Sequence, residues 1–185
     1  GYVPEGSVPA APASPGAEAK KDDFTPWEAL STVQFYLLWF MFACGAGAGL
    51  MIIGKLAVIA QKQAGLSLGF VLVAVLAIGN GGGRILAGMI SDKIGRKATV
   101  FIFLMMQAAV VGLLSLYARG TVAFGGELAI VVMSALVGAN YGSNLSLFPS
   151  ITKDFYGLKH FGMNYGLVFT SWGVGGFVMA QMAAK

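Results

Sequence analysis

Residues 67–90 read SLGFVLVAVLAIGNGGGRILAGMI, and Arg84 is the single charged residue in this stretch. A helix of about 20 apolar residues is long enough to cross the hydrocarbon core of a bilayer. A membrane-spanning strand needs only about 10 residues and alternates polar with apolar side chains, which this stretch does not do. The stretch therefore predicts a transmembrane helix that carries one cation.

Four other stretches are similar in length and hydrophobicity, so the sequence predicts an all-α integral membrane protein with five transmembrane helices. The predicted spans cover approximately residues 33–60, 67–90, 98–118, 126–149 and 161–183. Hydrophobic residues make up 57% of the chain and charged residues 11%, against about 25% charged residues in soluble domains. This composition excludes a single water-soluble core. We expect the fourth span to end at Pro149, because proline interrupts helices.

The start of the chain differs from the rest. Prolines among small and charged residues predict a flexible cytoplasmic loop over residues 1–30, followed by a transmembrane helix bundle over residues 31–185. Thr25 and Pro26 predict the start of a helix, since threonine is a favoured N-cap and proline a favoured first helical residue. The chain stops at Lys185, directly after an apolar helical pattern, and we expect a fragment whose bundle is incomplete.

Lysine and arginine residues are divided unevenly between the two ends of the predicted spans. The loop over residues 1–30 and the breaks after the second and fourth spans carry more of them than the other breaks do. Because cytoplasmic loops are enriched in these residues, we predict a multi-pass protein of the cell membrane with these segments in the cytoplasm. The net charge of +4 does not indicate nucleic-acid binding, because the basic residues stand at the ends of apolar runs and not along one face.

Arg84 is the leading candidate for a functional residue. A central arginine costs about 2.5–3.5 kcal/mol on membrane-insertion scales, so we expect its side chain to face a cavity or a partner and not lipid. Its guanidinium group can hold a carboxylate by two parallel hydrogen bonds. Asn80 precedes Arg84 by one helical turn and shares its face. The alternatives are a structural ion pair for Arg84 and an interhelical hydrogen bond for Asn80.

Few other residues offer chemistry. Tyr141 is a candidate hydrogen-bond donor to a carboxylate, with interhelical packing as the alternative. The sole cysteine, Cys44, lies in an apolar run and the sole histidine, His160, in a polar loop, so we predict neither a metal site nor a cofactor. No span pairs a nucleophile with a base, which argues against an enzyme.

The break between the second and third spans reads GMISDKIGRK over residues 88–97. The carboxylate of Asp92 can pair with Arg96, and such a contact would lock one conformation and break in another. The pattern resembles the G-x-x-x-D-[RK]-x-G-[RK]-[RK] signature of the major facilitator superfamily. The matching residues of this gating loop are Gly88, Asp92, Gly95, Arg96 and Lys97.

This resemblance implies a transporter built from two halves of six spans each. The family carries the signature after its second span and, in weaker form, after its eighth. With a cytoplasmic loop before it and three spans after it, the signature here resembles the second copy. The chain then corresponds to spans seven to eleven of twelve, and residues 1–30 to the central loop, while the N-terminal half is missing. The implied function is transport by alternating access, with a non-transporting membrane sensor on the same scaffold as an alternative.

Residues 30–183 further resemble the oxalate:formate antiporter and monocarboxylate transporter group. The resemblance is carried by Tyr141-Gly142-Ser143-Asn144, Phe148-Pro149-Ser150-Ile151-Thr152, Asp154-Phe155-Tyr156-Gly157 and Asn164-Tyr165-Gly166. It implies that Arg84 binds the carboxylate of the substrate and that Asn80 assists, as in similar bacterial monocarboxylate members.

One departure from that group bears on the substrate. The oxalate exchanger has a lysine in its eleventh span, in a pattern like F-T-A-K-G, whereas Phe169-Thr170-Ser171-Trp172-Gly173 stands here. Trp172 occupies the lysine position, so one counter-charge for a dianion is missing. The resemblance therefore implies a small monocarboxylate such as lactate, pyruvate or formate, coupled to a proton or a counter-anion. The alternative function is oxalate/formate exchange. For Trp172, a candidate substrate-binding residue, the alternative is a role in packing alone.

Overall fold

The computed structural model describes residues 23–63, 66–118 and 127–184. Over these residues the chain forms the helices α1 Pro26–Leu30, α2 Val33–Gln63, α3 Leu66–Ile94, α4 Arg96–Ala118, α5 Glu127–Tyr156 and α6 Phe161–Ala184. The loop predicted for residues 1–30 lies outside the described residues up to residue 22. The all-helical fold predicted from the apolar runs is confirmed.

Four of the described helices are long and apolar enough to cross a membrane. The spans are Val33–Lys55, Phe70–Ile94, Arg96–Leu116 and Leu128–Tyr156. The fifth predicted span does form a helix, α6, but it is not among the four. Length and apolarity therefore support four spans of the predicted five.

The prediction that the fourth span ends at Pro149 is wrong, because α5 continues through this proline to Tyr156. Proline removes one backbone hydrogen bond from a helix, and membrane helices tolerate that loss where the rest of the helix is packed in protein. Near Pro149 the Ser150 hydroxyl donates to the carbonyl oxygen of Ser146 at 3.0 Å, and the Thr152 hydroxyl donates to that of Phe148 at 2.8 Å, so both hydroxyl groups bond within α5.

The predicted helix start at Thr25 and Pro26 is confirmed. The Thr25 hydroxyl accepts from the Glu28 backbone N–H at 3.4 Å, and the Glu28 carboxylate accepts from the Thr25 backbone N–H at 2.9 Å. This reciprocal pair is a capping box with proline in the first turn. The short helix α1 therefore has a defined start before the first span.

Two residues before α1 fasten the beginning of the described chain to the turn between α5 and α6. The Phe24 backbone N–H donates to the Tyr156 carbonyl oxygen at 3.0 Å, and its carbonyl accepts from Asn164 Nδ2 at 2.9 Å. The Asp23 carboxylate accepts from the Lys159 backbone N–H at 2.8 Å. We call Asp23 and Phe24 the strap.

Helices α3 and α5 make the closest approach in the bundle. A Cβ atom on Gly79 would overlap the backbone of Ala135, and one on Gly83 would overlap the backbone of Ala139. The reciprocal glycines on α5, which face the backbone of α3, are Gly138 and Gly142. Since consecutive spans alternate in direction, α3 and α5 run parallel, and glycine is needed wherever the two backbones touch.

Helices α2 and α6 form a second parallel pair by the same means. A Cβ atom on Gly175 of α6 would overlap the backbone of Ala43, and one on Gly47 would overlap that of Gly175. Between the two pairs, the ring of Phe42 stacks on Phe148 with centroids 4.4 Å apart. The largest apolar cluster lies here, so α2 and α5 meet at the centre of the bundle.

Candidate functional site

Arg84 lies on the exposed side of α3 in the described bundle. Its Nε donates to Asn80 Oδ1 at 3.2 Å, the contact that their separation of one helical turn predicts. Within the described residues no carboxylate pairs with Arg84, and its terminal nitrogens Nη1 and Nη2 make no hydrogen bond. The structure therefore gives no support, in this part of the chain, to a structural ion pair.

The glycines around Arg84 divide into two kinds. Gly79 and Gly83 lie against α5, as described above. A Cβ atom on Gly81 or Gly82 would meet no described atom within 4 Å. Gly81 precedes Arg84 by three residues and shares its face, so open space adjoins the guanidinium group along the helix.

Asn80 is held between Arg84 and α5. A Cβ atom on Gly142 would lie 2.9 Å from Asn80 Oδ1 and would also overlap the Asn80 backbone. The amide oxygen of Asn80 therefore occupies space that any larger residue at position 142 would fill. The same oxygen orients the Arg84 side chain, so the α3–α5 packing fixes the direction of the guanidinium group.

Tyr141 and Trp172 form the second pair of predicted site residues. The indole Nε1 of Trp172 donates to the Tyr141 hydroxyl oxygen at 2.9 Å, and the Trp172 ring stacks on Phe169 with centroids 5.5 Å apart. The Tyr141 side chain is nearly buried and packs against Gly49 of α2. Since the phenol oxygen acts here as an acceptor, its own hydrogen stays available, and no described residue accepts it.

The two pairs meet α5 at consecutive residues. Asn80 lies against Gly142, and Trp172 bonds to Tyr141. The structure brings Arg84 together with Asn80, and Tyr141 together with Trp172, but it shows no direct contact between the pairs. Residues 141–142 are thus the part of α5 that connects them.

Gln107, which forms a buried amide network behind this site, was missed from the sequence. Gln107 of α4 donates to the carbonyl oxygen of Gly45 at 2.6 Å, and its own amide oxygen accepts from Asn144 Nδ2 at 3.5 Å. Gln107 is 7% exposed, so it joins α2, α4 and α5 inside the bundle. An isolated glutamine in an otherwise apolar span was the available sign, since polar residues in spans commonly bond neighbouring helices.

The gating loop is more compact than its sequence predicted. Gly95, with φ +89°, is the one residue between α3 and α4, a left-handed conformation that favours glycine. Arg96 makes the predicted ion pair with Asp92 at 2.9 Å and a second with Asp154 of α5 at 3.1 Å. Its guanidinium group also donates to the Ser91 hydroxyl at 2.7 Å. The loop is thereby tied to α5, which the sequence did not indicate.

Of the remaining gating-loop residues, Gly88 lies inside α3, one turn after Arg84. A Cβ atom added to Gly88 would lie 4.0 Å from the Ser146 hydroxyl oxygen, its nearest described neighbour. Lys97 lies in the first turn of α4 and is exposed. No described carboxylate pairs with Lys97. Arg96 therefore carries the ionic contacts of this loop, while Lys97 keeps its charge available.

Comparison with known proteins gives an independent result. Residues 5–180 match the sequence family described as Major Facilitator Superfamily. The protein described as "Uncharacterized MFS-type transporter YhjX" of Escherichia coli (strain K12) is 30% identical over 155 residues, which cover 83% of this chain and 37% of the relative. The oxalate:formate antiporter of Oxalobacter formigenes is 32% identical over 151 residues, covering 80% of this chain and 35% of the relative. The chain spans somewhat more than a third of the length of these relatives.

Proposed function

Because this chain belongs to the Major Facilitator Superfamily and is a multi-pass membrane protein, we propose that it forms part of a transporter for small monocarboxylates. The substrates would be lactate, pyruvate or formate, moved across the cell membrane by alternating access. The observation that carries this proposal is Arg84, a cation in a membrane span with two unused donor groups and open space beside it.

The geometry of Arg84 suits one carboxylate. Nε is occupied by Asn80, so a ligand meets the end of the guanidinium fork, where Nη1 and Nη2 present parallel donors. A carboxylate accepts two such bonds at once, and charge-assisted bonds of this kind are about twice as strong as neutral ones. Asn80 would keep the fork aligned while the substrate binds.

The charge of the site favours a monoanion. Trp172 stands where the oxalate exchangers carry a second cation, and its indole N–H is used by Tyr141. This hydrogen bond leaves the Tyr141 hydroxyl hydrogen free to donate to a second acceptor, such as the hydroxyl or carbonyl oxygen of lactate or pyruvate. A dianion would bring a second negative charge with no described cation to balance it.

In the complete transporter, the helices α2 to α6 would be spans seven to eleven of twelve, and residues 1–30 the loop from the N-terminal half. Alternating access then requires the two halves to rock around a site at the middle of the membrane. The Arg96 contacts with Asp92 and Asp154 would form at the cytoplasmic end in one state and break in the other. A proton or a counter-anion would couple the movement.

The test uses the full-length protein in proteoliposomes with labelled lactate, formate and oxalate. Arg84→Gln should lower the uptake efficiency for monocarboxylates by roughly 10- to 150-fold, since bonds to a charged group are worth about 1.5–3 kcal/mol. Lys55→Gln, which removes an exposed cation from the end of another span, should leave uptake unchanged. Normal uptake by Arg84→Gln would show that the arginine is structural and would end the carboxylate assignment.

Exchange of oxalate for formate is a second candidate, favoured by the similarity to the Oxalobacter formigenes antiporter. Exchange requires a counter-anion inside the vesicle, whereas proton symport requires a pH gradient, so uptake with each condition separates the two. Trp172→Lys should raise oxalate uptake relative to lactate if the missing cation sets the preference. Strong oxalate uptake by the wild-type protein would favour exchange instead.

A further inference from the structure

Two side chains of α5 occupy the space that two glycines of α2 leave open. The Tyr141 ring lies against Gly49, where an added Cβ atom would lie 2.9 Å from Tyr141 Cδ2. Asn144 lies against Gly45, where an added Cβ atom would lie 3.0 Å from Asn144 Nδ2. Gly45 and Gly49 are one helical turn apart, and Tyr141 and Asn144 share a face of α5. The two contacts therefore belong to one register between α2 and α5.

Gln107 of α4 bonds to both sides of the contact at Gly45. Its Nε2 donates to the Gly45 carbonyl oxygen on α2 at 2.6 Å, and its Oε1 accepts from Asn144 Nδ2 on α5 at 3.5 Å. The residues one turn before and after it on α4, Phe103 and Val110, belong to apolar clusters. Polar groups that are bonded inside a core specify one packing arrangement more strictly than apolar groups do. Gln107 therefore fixes the register of α2 against α5.

Stability alone does not explain a glutamine at this position. Hydrogen bonds between membrane helices add little to stability, because polar groups also find partners when the helices are apart. Burial of an amide carries a desolvation cost unless the group is bonded, whereas an aliphatic side chain has no such cost. What the amide of Gln107 adds is a fixed register, and this register determines where Tyr141 lies.

We propose that Gln107 is a positioning residue for substrate selection. By holding Gly45 and Asn144, it fixes the place of Tyr141, whose hydroxyl oxygen accepts from Trp172 Nε1 at 2.9 Å. The inference rests on the proposed function, in which the Tyr141 hydroxyl donates to the oxygen next to the carboxylate of lactate or pyruvate. Gln107 is 7% exposed, so it acts through Tyr141 and not by contact with the substrate.

The experiment compares uptake of labelled lactate and propionate by the full-length protein in proteoliposomes. Propionate has the same carbon skeleton and lacks the hydroxyl group, so the ratio of the two uptake efficiencies measures the Tyr141 contact. Tyr141→Phe should reduce this lactate preference by roughly 2- to 12-fold, the factor that corresponds to about 0.5–1.5 kcal/mol for one neutral hydrogen bond. Gln107→Met, which keeps an unbranched side chain and removes the amide, should reduce the preference too. The double variant should show no further loss than Tyr141→Phe, because both changes affect the same contact.

Val110→Ala is the matched control for a loss of stability. Val110 lies one turn after Gln107 on α4, is 4% exposed and packs in a cluster with Ile52 and Val137. Its truncation should lower the Tm, as a cavity in a core does, and should leave the lactate preference at the wild-type value. Equal losses of preference in Val110→Ala and Gln107→Met would overturn the proposal, since a general loosening of the bundle would explain both.

A second pair of variants approaches Tyr141 from α2. Gly49→Ala places a methyl group 2.9 Å from Tyr141 Cδ2, whereas the same change at Gly54 meets no described atom within 4 Å. Gly49→Ala should therefore reduce the lactate preference, and Gly54→Ala should not.

Three results would contradict the inference. One is a wild-type preference in Gln107→Met where Tyr141→Phe has lost it, and another is a wild-type preference in Gly49→Ala. The third is an unchanged preference in Tyr141→Phe. The carboxylate proposal is decided separately, by the total uptake of Arg84→Gln, which the ratio of lactate to propionate does not report.

Discussion

Replacing Gly83 by alanine should force α3 and α5 apart. The added methyl carbon would lie 2.5 Å from the Cα atom and 2.7 Å from the carbonyl carbon of Ala139, whereas carbon atoms pack at about 3.5–4.0 Å. Both neighbours are backbone atoms that no rotamer change can move, so the helices must separate by about 1 Å. A gap of that size forfeits a quarter to a half of the dispersion energy along the contact. Overpacking of this kind typically costs about 1–3 kcal/mol.

The measurement is the thermal stability of the detergent-solubilised full-length protein. Its readout is the fraction of protein that stays monodisperse after heating. Gly81→Ala is the matched control, because the same methyl group on the same helix meets nothing described within 4 Å. Alanine is also the better helix former by about 0.8–1.0 kcal/mol, so Gly81→Ala should keep or slightly raise the Tm. Equal Tm values for Gly83→Ala and wild type, or equal losses in both variants, would refute the argument from backbone contact.

Two further predictions concern polar contacts. Gln107→Leu should lower stability by about 1–3 kcal/mol, since it leaves buried partners unpaired. The loss of stability in the double variant with Asn144→Leu should be smaller than the sum of the losses in the two single variants. Strictly additive losses in the same heating assay would argue against the shared network. Asp154→Asn should speed uptake in proteoliposomes more than Asp92→Asn does, because its ion pair with Arg96 joins α5 to the gating loop while that of Asp92 stays within one turn. Both pairs are exposed and worth about 1 kcal/mol or less, so the difference should shrink at high salt, and salt-independent or equal rates would count against it.

The helices were predictable because apolar runs of this length have one common solution in lipid, where each backbone group must bond within its own segment. The boundaries were less predictable. The basic break at residues 91–97 contracts to Gly95 in the structure, since α3 continues to Ile94 and α4 already begins at Arg96. Pro149 was misleading because a proline removes only one backbone hydrogen bond, and the helix α5 continues through it to Tyr156.

In the candidate site, the contact within one helix was predictable from the sequence, whereas the contacts between helices were not. The contact between Arg84 and Asn80 is local, one helical turn along a single helix, and spacing alone predicts it. The bond between Tyr141 and Trp172 joins residues 31 positions apart on different helices, and no periodicity encodes such a pairing. The second carboxylate on Arg96 belongs to the same class, as it depends on how α4 packs against α5.

The strap determines which helices receive a force that is transmitted along the preceding chain. If Asp23 and Phe24 were free, a pull from the residues before them would act on the end of α2 through α1 alone. Their hydrogen bonds to Tyr156, Lys159 and Asn164 pass part of that force to the turn between α5 and α6. This turn is therefore pulled in the same direction as α2. In the proposed two-halved transporter, the central loop would transmit a rotation of one half to the other half through the strap. The helices α2, α5 and α6 would then turn together.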